Sequence, residues 1–210
     1  EALMDGKSRG KDCIVLASQL PRRKEVDATA TLEEYKRRLT VSEKNLKRAC
    51  ADSITALLRV LDGKDTYSAV HSCLVATYVW HFTGILNLPP EEREVIKNAT
   101  LFHDLGKIGI PDGVLRKEGP LTQEEMALVR QHPKHSVSLI EGGRLLAQEA
   151  PIVLHHHERW DGQGYPDGLK GRDIPIGARI LALADTYEAM TSARPYRKGS
   201  PPEAAFKILR

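Results

Sequence analysis

Apolar positions recur at helical spacing along most of the chain from Thr31 onward, and no alternating apolar–polar run is longer than four residues. Leu32, Tyr35, Leu39 and Leu46 keep coiled-coil spacing. Cys50, Ile54, Leu57 and Leu61 continue an apolar face after a phase shift. Lys36, Arg37, Glu43, Lys44 and Lys47 fill the other faces, so 31–63 reads as one long helix stopping near Asp62-Gly63. Thr31 with Glu34 three residues on has the capping-box arrangement. The helix either packs on the next domain, or pairs with a second copy and relays the state of an upstream sensor or receiver; its few heptads do not choose. Further helical patterns cover 65–86, 90–102, 122–131, 133–148, 151–157, 177–192 and 201–210. Prolines such as Pro89, Pro133, Pro151 and Pro201 stand at first turns or in loops, where proline is tolerated. The expected fold is all-α. Residues 1–30, broken by Gly6, Gly10 and Pro21, read as a linker or the tail of an upstream domain, and 64–210 as the main domain.

Charge sharpens this division. Residues 1–64 hold 14 Lys/Arg against 10 Asp/Glu, and residues 65–210 hold 17 against 18. A nearly neutral main domain argues against a nucleic-acid binder relying on a basic face. The longest apolar run near the start, Cys13 to Ala17, is too short for a membrane span or a signal-peptide core, so the expected location is cytoplasmic. Cys13, Cys50 and Cys73 form no CxxC pair and are expected to be reduced packing residues. The first residue is Glu1 and the helical pattern is unfinished at Arg210, as expected of a piece of a longer protein truncated at its C-terminal side.

Candidate chemistry gathers in the main domain, where all eight histidines fall between His71 and His157. His103-Asp104 offers a neutral nitrogen and a charged oxygen from adjacent positions, a pairing suited to a divalent metal. Lys107, three residues past Asp104, projects from nearly the same helical face, where it could hold an anionic substrate oxygen beside the metal. His132 precedes Pro133, His156-His157 precede a glycine-rich loop, and Asp185 lies in an apolar helix where an unpaired carboxylate would be costly. Taken singly, a helical histidine is usually a satisfied core or surface residue. His81, between Trp80 and Phe82, reads as packing, and His135 and His155 are also given the bland reading. Glu158 is expected to orient a ligand histidine or brace its loop, against a salt bridge with Arg159.

Five stretches carry a resemblance: Asp65 to Ser72, His103 to Asp112, His132-Pro133, His156 to Gly171 (which contains Gly164-Tyr165-Pro166) and Ala184 to Arg197. Together they resemble the HD-GYP family, a branch of the HD-domain metal-dependent phosphohydrolases. The resemblance implies an HD-domain helical bundle that hydrolyses the bacterial second messenger cyclic di-GMP to linear pGpG, or on to GMP, by attack of a metal-bridging hydroxide on phosphorus. It also implies a metal centre of iron or manganese held by His71, His103, Asp104, His132, His156, His157 and Asp185, with Asp104 between two metals. Lys107, Arg194 and Arg197 match substrate-contacting positions. Trinuclear members carry a carboxylate four residues before the first histidine; Tyr67 stands there, so two metals are expected. The alternatives are a noncatalytic cyclic-dinucleotide sensor and a hydrolase of another cyclic dinucleotide such as cyclic GMP-AMP.

Overall fold

The computed structural model describes residues 28–61, 68–141, 146–192 and 198–209. The chain divides into two units, Glu1–Asn45 and Leu46–Arg210. Helix α1 (Ala28–Leu61) crosses the division. Thr31, expected to cap it, lies inside the helix, which is already formed at Ala28. Leu32, Tyr35, Leu39 and Leu46 are exposed, at 51–69%. The side chains of Cys50, Ile54, Leu57 and Leu61 lie outside the described residues.

The second unit continues with α2 (Ser68–Ile85), α3 (Pro90–Phe102), α4 (Asp112–Leu115), α5 (Gln123–Val129), α6 (His132–Ile140), α7 (Ala150–Leu154), α8 (Ile176–Thr191) and α9 (Pro202–Ile208). Short 3-10 turns occupy Leu105–Gly109 and Gly171–Asp173. Among the described residues there is no strand, and no helix is long and apolar enough to cross a membrane.

One core explains the arrangement. Val75 and Val79 of α2, Ile96, Ala99 and Phe102 of α3, Ile152 and Val153 of α7, and Ala178, Leu181 and Ala184 of α8 are buried together. Thus α2 packs on α3 and α8, and α7 bridges α3 and α8. Alanines at 178 and 184, both fully buried, let α8 approach its neighbours closely. β-Branched, aromatic and small polar residues crowd α2, so intrinsic propensity favours it little, and burial of the apolar stripes supplies most of its stability.

The expected helix 133–148 stops earlier, at Ile140, with Glu141 closing it ahead of Gly142-Gly143. The expected 151–157 helix also ends early, at Leu154, which leaves His155, His156 and His157 in a turn. The reason is geometric. Consecutive helical residues diverge by about 100°, whereas the His156 and His157 rings face one centre, 4.1 Å apart. The capping box forms at a different helix, α5, where Thr122 Oγ1 accepts from Glu125 N and Glu125 Oε2 accepts from Thr122 N. Cys73, expected inside, is exposed with a free thiol.

Candidate metal centre

Five segments converge on one cluster. His71 comes from α2, His103 and Asp104 from the turn after α3, His132 from the first residue of α6, His156 and His157 from the turn after α7, and Asp185 from α8. Ligand-type atoms of His71, His103 and Asp185 lie within 4.8 Å of one another. So do those of His103, Asp104 and His156, and those of His132, His156 and His157. All seven expected ligand positions therefore meet, although they span 115 residues from His71 to Asp185.

Local backbone rules orient the rings. The Nδ1 atoms of His103, His132 and His156 lie 2.6, 2.8 and 2.6 Å from the carbonyls of Thr100, Val129 and Val153, each three residues upstream. A carbonyl only accepts, so each Nδ1 carries the proton and each Nε2 keeps its lone pair. Those three Nε2 atoms face inward. His132 Nε2 lies 3.3 Å from both Asp104 Oδ1 and His156 Nε2, and the buried His103 Nε2 has no hydrogen-bond partner. Three tautomers preset for coordination, with one buried nitrogen orphaned, fit a metal.

Asp104 sits between these groups. Its Oδ1 faces His132, while its Oδ2 lies 3.4 Å from His103 Nε2 and accepts from Lys107 Nζ at 2.6 Å. Burial opposes its ionisation, but Lys107, His103 and His132 together hold the carboxyl well below the usual carboxylate range. Lys107 thus reaches the expected place from a 3-10 turn rather than an α-helix. That turn abuts α6 because Gly106 has no side chain: a Cβ there would lie 2.8 Å from His135 Cβ and collide with the His132 carbonyl. Ser136 Oγ ties the two segments, donating to the His103 carbonyl and accepting from Gly106 N at 2.8 and 2.7 Å.

One residue escaped the sequence reading. Glu188, fully buried one turn after Asp185 on α8, accepts from His71 Nδ1 at 2.6 Å, while Asp185 Oδ1 lies 3.0 Å from His71 Nε2. A second carboxylate three residues after Asp185, in a largely apolar helix, was the available signal.

The glycine-rich loop closes one side. Tyr165 stacks on His157 with ring centroids 4.8 Å apart, and the Tyr165-Pro166 peptide bond is cis. Gly164 is required by proximity, since a Cβ would lie 2.6 Å from the His157 carbonyl, with the Glu158 and Arg159 backbone closer still. Gly164→Ala should force that loop off the ligand-bearing turn. The expected result is a clearly lower Tm with weaker metal retention; an unchanged melt and metal content would show the loop to be independent. Glu158 braces the loop by accepting from Asp167 N at 2.8 Å, and Arg159 pairs with Asp161 instead. His155 turns away from the cluster to Asp167, at 3.0 Å. His81 is exposed, and His135 packs at Gly109 with its Nδ1 3.2 Å from where a Cβ would be. Arg194 and Arg197 lie outside the described residues.

Crowding among the rings has a pH consequence. Burial and the neighbouring His132 push the His157 imidazole down to about 4. Burial and the adjacent histidines hold His156 well below the usual imidazole range, and burial with the Lys107 ammonium and His103 lowers His132. Burial alone would lower His103 too, but Asp104, Asp185 and the Thr100 carbonyl raise it. Below the ordinary imidazole value of 6.5, the unfolded chain takes up protons that His132, His156 and His157 refuse in the fold. Metal-free protein should therefore lose stability as pH falls from 6.5 towards 4, with His157 contributing about 3 kcal/mol at the lower end. The depressed Asp104 acts below this window and the raised His103 above it. Melts of chelator-treated protein should show Tm roughly 5 °C lower at pH 5 than at pH 7.5; a Tm that stays level or rises contradicts the assignment.

The family model described as HD domain matches residues 15–210. The chain belongs to the HD-domain family. It is 38% identical over 174 residues to the cyclic di-GMP phosphodiesterase response regulator RpfG of Xanthomonas campestris, covering 82% of this chain and 46% of that protein. It is 34% identical over 155 residues to 3′3′-cGAMP-specific phosphodiesterase 2 of Vibrio cholerae, covering 73% of this chain and 30% of that one. The chain thus spans less than half the length of these curated relatives. Among solved structures, Bd1817, a HDG"Y"P protein from Bdellovibrio bacteriovorus, shares the fold with a TM-score of 0.56 at 20% identity, covering 80% of this chain and 57% of that one. The HD-GYP resemblance carried by the five sequence stretches stands with these matches.

Proposed function

We propose that this HD-domain chain is a metal-dependent phosphodiesterase of the bacterial cytoplasm that opens cyclic di-GMP, with linear pGpG or GMP as the end product. The observation that carries this is the inward set of three Nε2 atoms around Asp104, whose two carboxylate oxygens face different histidines. His71, His103 and Asp185 would hold one divalent cation and His132, His156 and His157 another, with Asp104 between them; Tyr67, where a third site would need a carboxylate, supports a count of two. Iron or manganese suits this mixed nitrogen and oxygen set. When bound, such ions supply an acidified water and positive charge for the phosphoryl oxygens.

The chain's own residues do the rest. Carbonyls of Thr100, Val129 and Val153 and the Glu188 carboxylate hold the imidazoles in one tautomer and orientation. Lys107, one-third exposed beside Asp104, can turn its ammonium to a phosphoryl oxygen and offset the charge that grows there. Arg194 and Arg197 are assigned to substrate phosphate or base by motif position. A Lys107→Ala variant should keep most of its metal yet lose about 100-fold or more in turnover; unchanged turnover removes Lys107 from the mechanism.

A second reading, a hydrolase of 3′3′-cyclic GMP-AMP, is favoured by the Vibrio relative named for that substrate. The deciding experiment is anaerobic purification with elemental analysis, then incubation with each cyclic dinucleotide and chromatography of the products. About two metals per chain with linear dinucleotide or GMP from cyclic di-GMP support the first reading. Cleavage of the mixed nucleotide alone supports the second. Metal without turnover of either points to a noncatalytic sensor. The exposed stripe at Leu32, Tyr35, Leu39 and Leu46 is assigned to a second copy of the chain, with sedimentation as its check.

A further inference from the structure

Arg130 ends α5 two residues before His132 and is exposed. Its guanidinium carbon lies 5.4 Å from the centre of the Tyr165 ring, which also stacks on His157. The three groups form a column that runs from the histidine cluster to solvent: imidazole, phenol, guanidinium. Among the described residues Arg130 forms no ion pair, whereas Arg159 of the glycine-rich loop is occupied by Asp161. Its backbone is anchored through the bond from its N–H to the Met126 carbonyl, 2.9 Å long. The cluster below holds Asp104, Asp185 and Glu188 against the single ammonium of Lys107. A cation is thus stationed over the aromatic rim of an acidic centre, with its hydrogen-bonding edge free for an anion.

A cyclic dinucleotide carries two phosphodiesters. Only one can sit at the metal centre at a time, so the second is left at the rim, where it needs a cation of its own. A guanidinium suits this role because its planar fork pairs two phosphate oxygens while its face stays on an aromatic ring. We infer that Arg130, seated on Tyr165, binds the phosphate that is not being cut and so selects substrates carrying two phosphodiesters. This rests on the phosphodiesterase reading of the same site. The competing explanation is that Arg130 only braces the Tyr165 loop.

The test compares wild type with Arg130→Ala and Arg130→Lys in the metal-loaded protein. Three measurements are made: steady-state cleavage of cyclic di-GMP and of bis(p-nitrophenyl) phosphate, which has one phosphodiester; equilibrium dialysis with a cleavage-resistant bisphosphorothioate analogue of cyclic di-GMP; and thermal melts. For Arg130→Ala we expect KM and the dialysis Kd to rise about tenfold, the size of one charge-assisted hydrogen bond, with kcat within twofold. Cleavage of bis(p-nitrophenyl) phosphate, metal content and Tm should not change. Arg130→Lys, which keeps charge but not the fork, should fall between. Unchanged KM and Kd overturn the inference. Equal losses on both substrates with a lower Tm also overturn it, in favour of bracing. If wild type cleaves neither substrate, the phosphodiesterase reading fails by itself, and the dialysis still decides whether Arg130 binds the dinucleotide.

Discussion

Asp104→Ala should strip bound metal and phosphodiesterase activity together, with turnover reduced roughly a thousandfold or more. The magnitude follows from position. Asp104 is the carboxylate whose two oxygens address His132 on one side and His103 and Lys107 on the other. Removing it takes away the group assigned to both cations and leaves the Lys107 ammonium without its carboxylate beside inward-facing imidazoles. Several kcal/mol of transition-state stabilisation disappear with the metals, and each 1.36 kcal/mol is about a factor of ten. Asp104→Asn is the control for folding, since it keeps volume and one oxygen while losing the charge. Elemental analysis and product chromatography on both variants decide the point. An Asp104→Ala protein that retains two metals per chain would falsify the placement of Asp104 between them.

The second large effect is expected at Glu188, a fully buried carboxylate on α8. It accepts the proton of His71 Nδ1 at 2.6 Å and thereby fixes His71 with Nε2 toward Asp185. Carboxylates that orient a metal-bound imidazole are worth about 10- to 100-fold in metal affinity. Glu188→Ala should weaken metal binding by that amount and leave a cavity in α8. Glu188→Gln, whose amide oxygen can still accept from His71, should retain most of the affinity. Chelator competition separates the two variants, and KM for the dinucleotide should stay near wild type in both. Equal metal affinity in Glu188→Ala and wild type would return Glu188 to a packing role.

These expectations depend on features of different legibility. His103-Asp104 and His156-His157 stand out in the chain because adjacent ligand types are rare by chance and sit in motif stretches. Helical periodicity carries 151–157 too far as a helix, since it cannot express that two consecutive rings must face one point. Asp185 is legible from the cost of a carboxylate in an apolar helix, yet that same cost at Glu188 goes unnoticed in the sequence. Its partner, His71, lies 117 positions away, and a glutamate one turn from an aspartate also fits a solvated face. Lys107 stands beside Asp104 as its spacing predicts, but for a slightly different reason, because a 3-10 turn rather than an α-helix brings it there.

The sequence by itself determined the all-α class, the HD-domain family and which residue types are present to hold a metal, because helical periodicity and short motifs are local properties. Gly106 and Gly164 belong to those motifs, but only the fold shows why they must be small: each lies where a Cβ would meet the backbone of a segment bearing a ligand. Ring orientation was likewise decided in three dimensions. Carbonyls three residues upstream settle the tautomers of three histidines, and Glu188 settles that of His71 from across the core. The column of His157, Tyr165 and Arg130 has no trace in the spacing of its members. Distances between residues far apart in sequence are set by how the core packs, and that packing is a property of the whole bundle rather than of any segment.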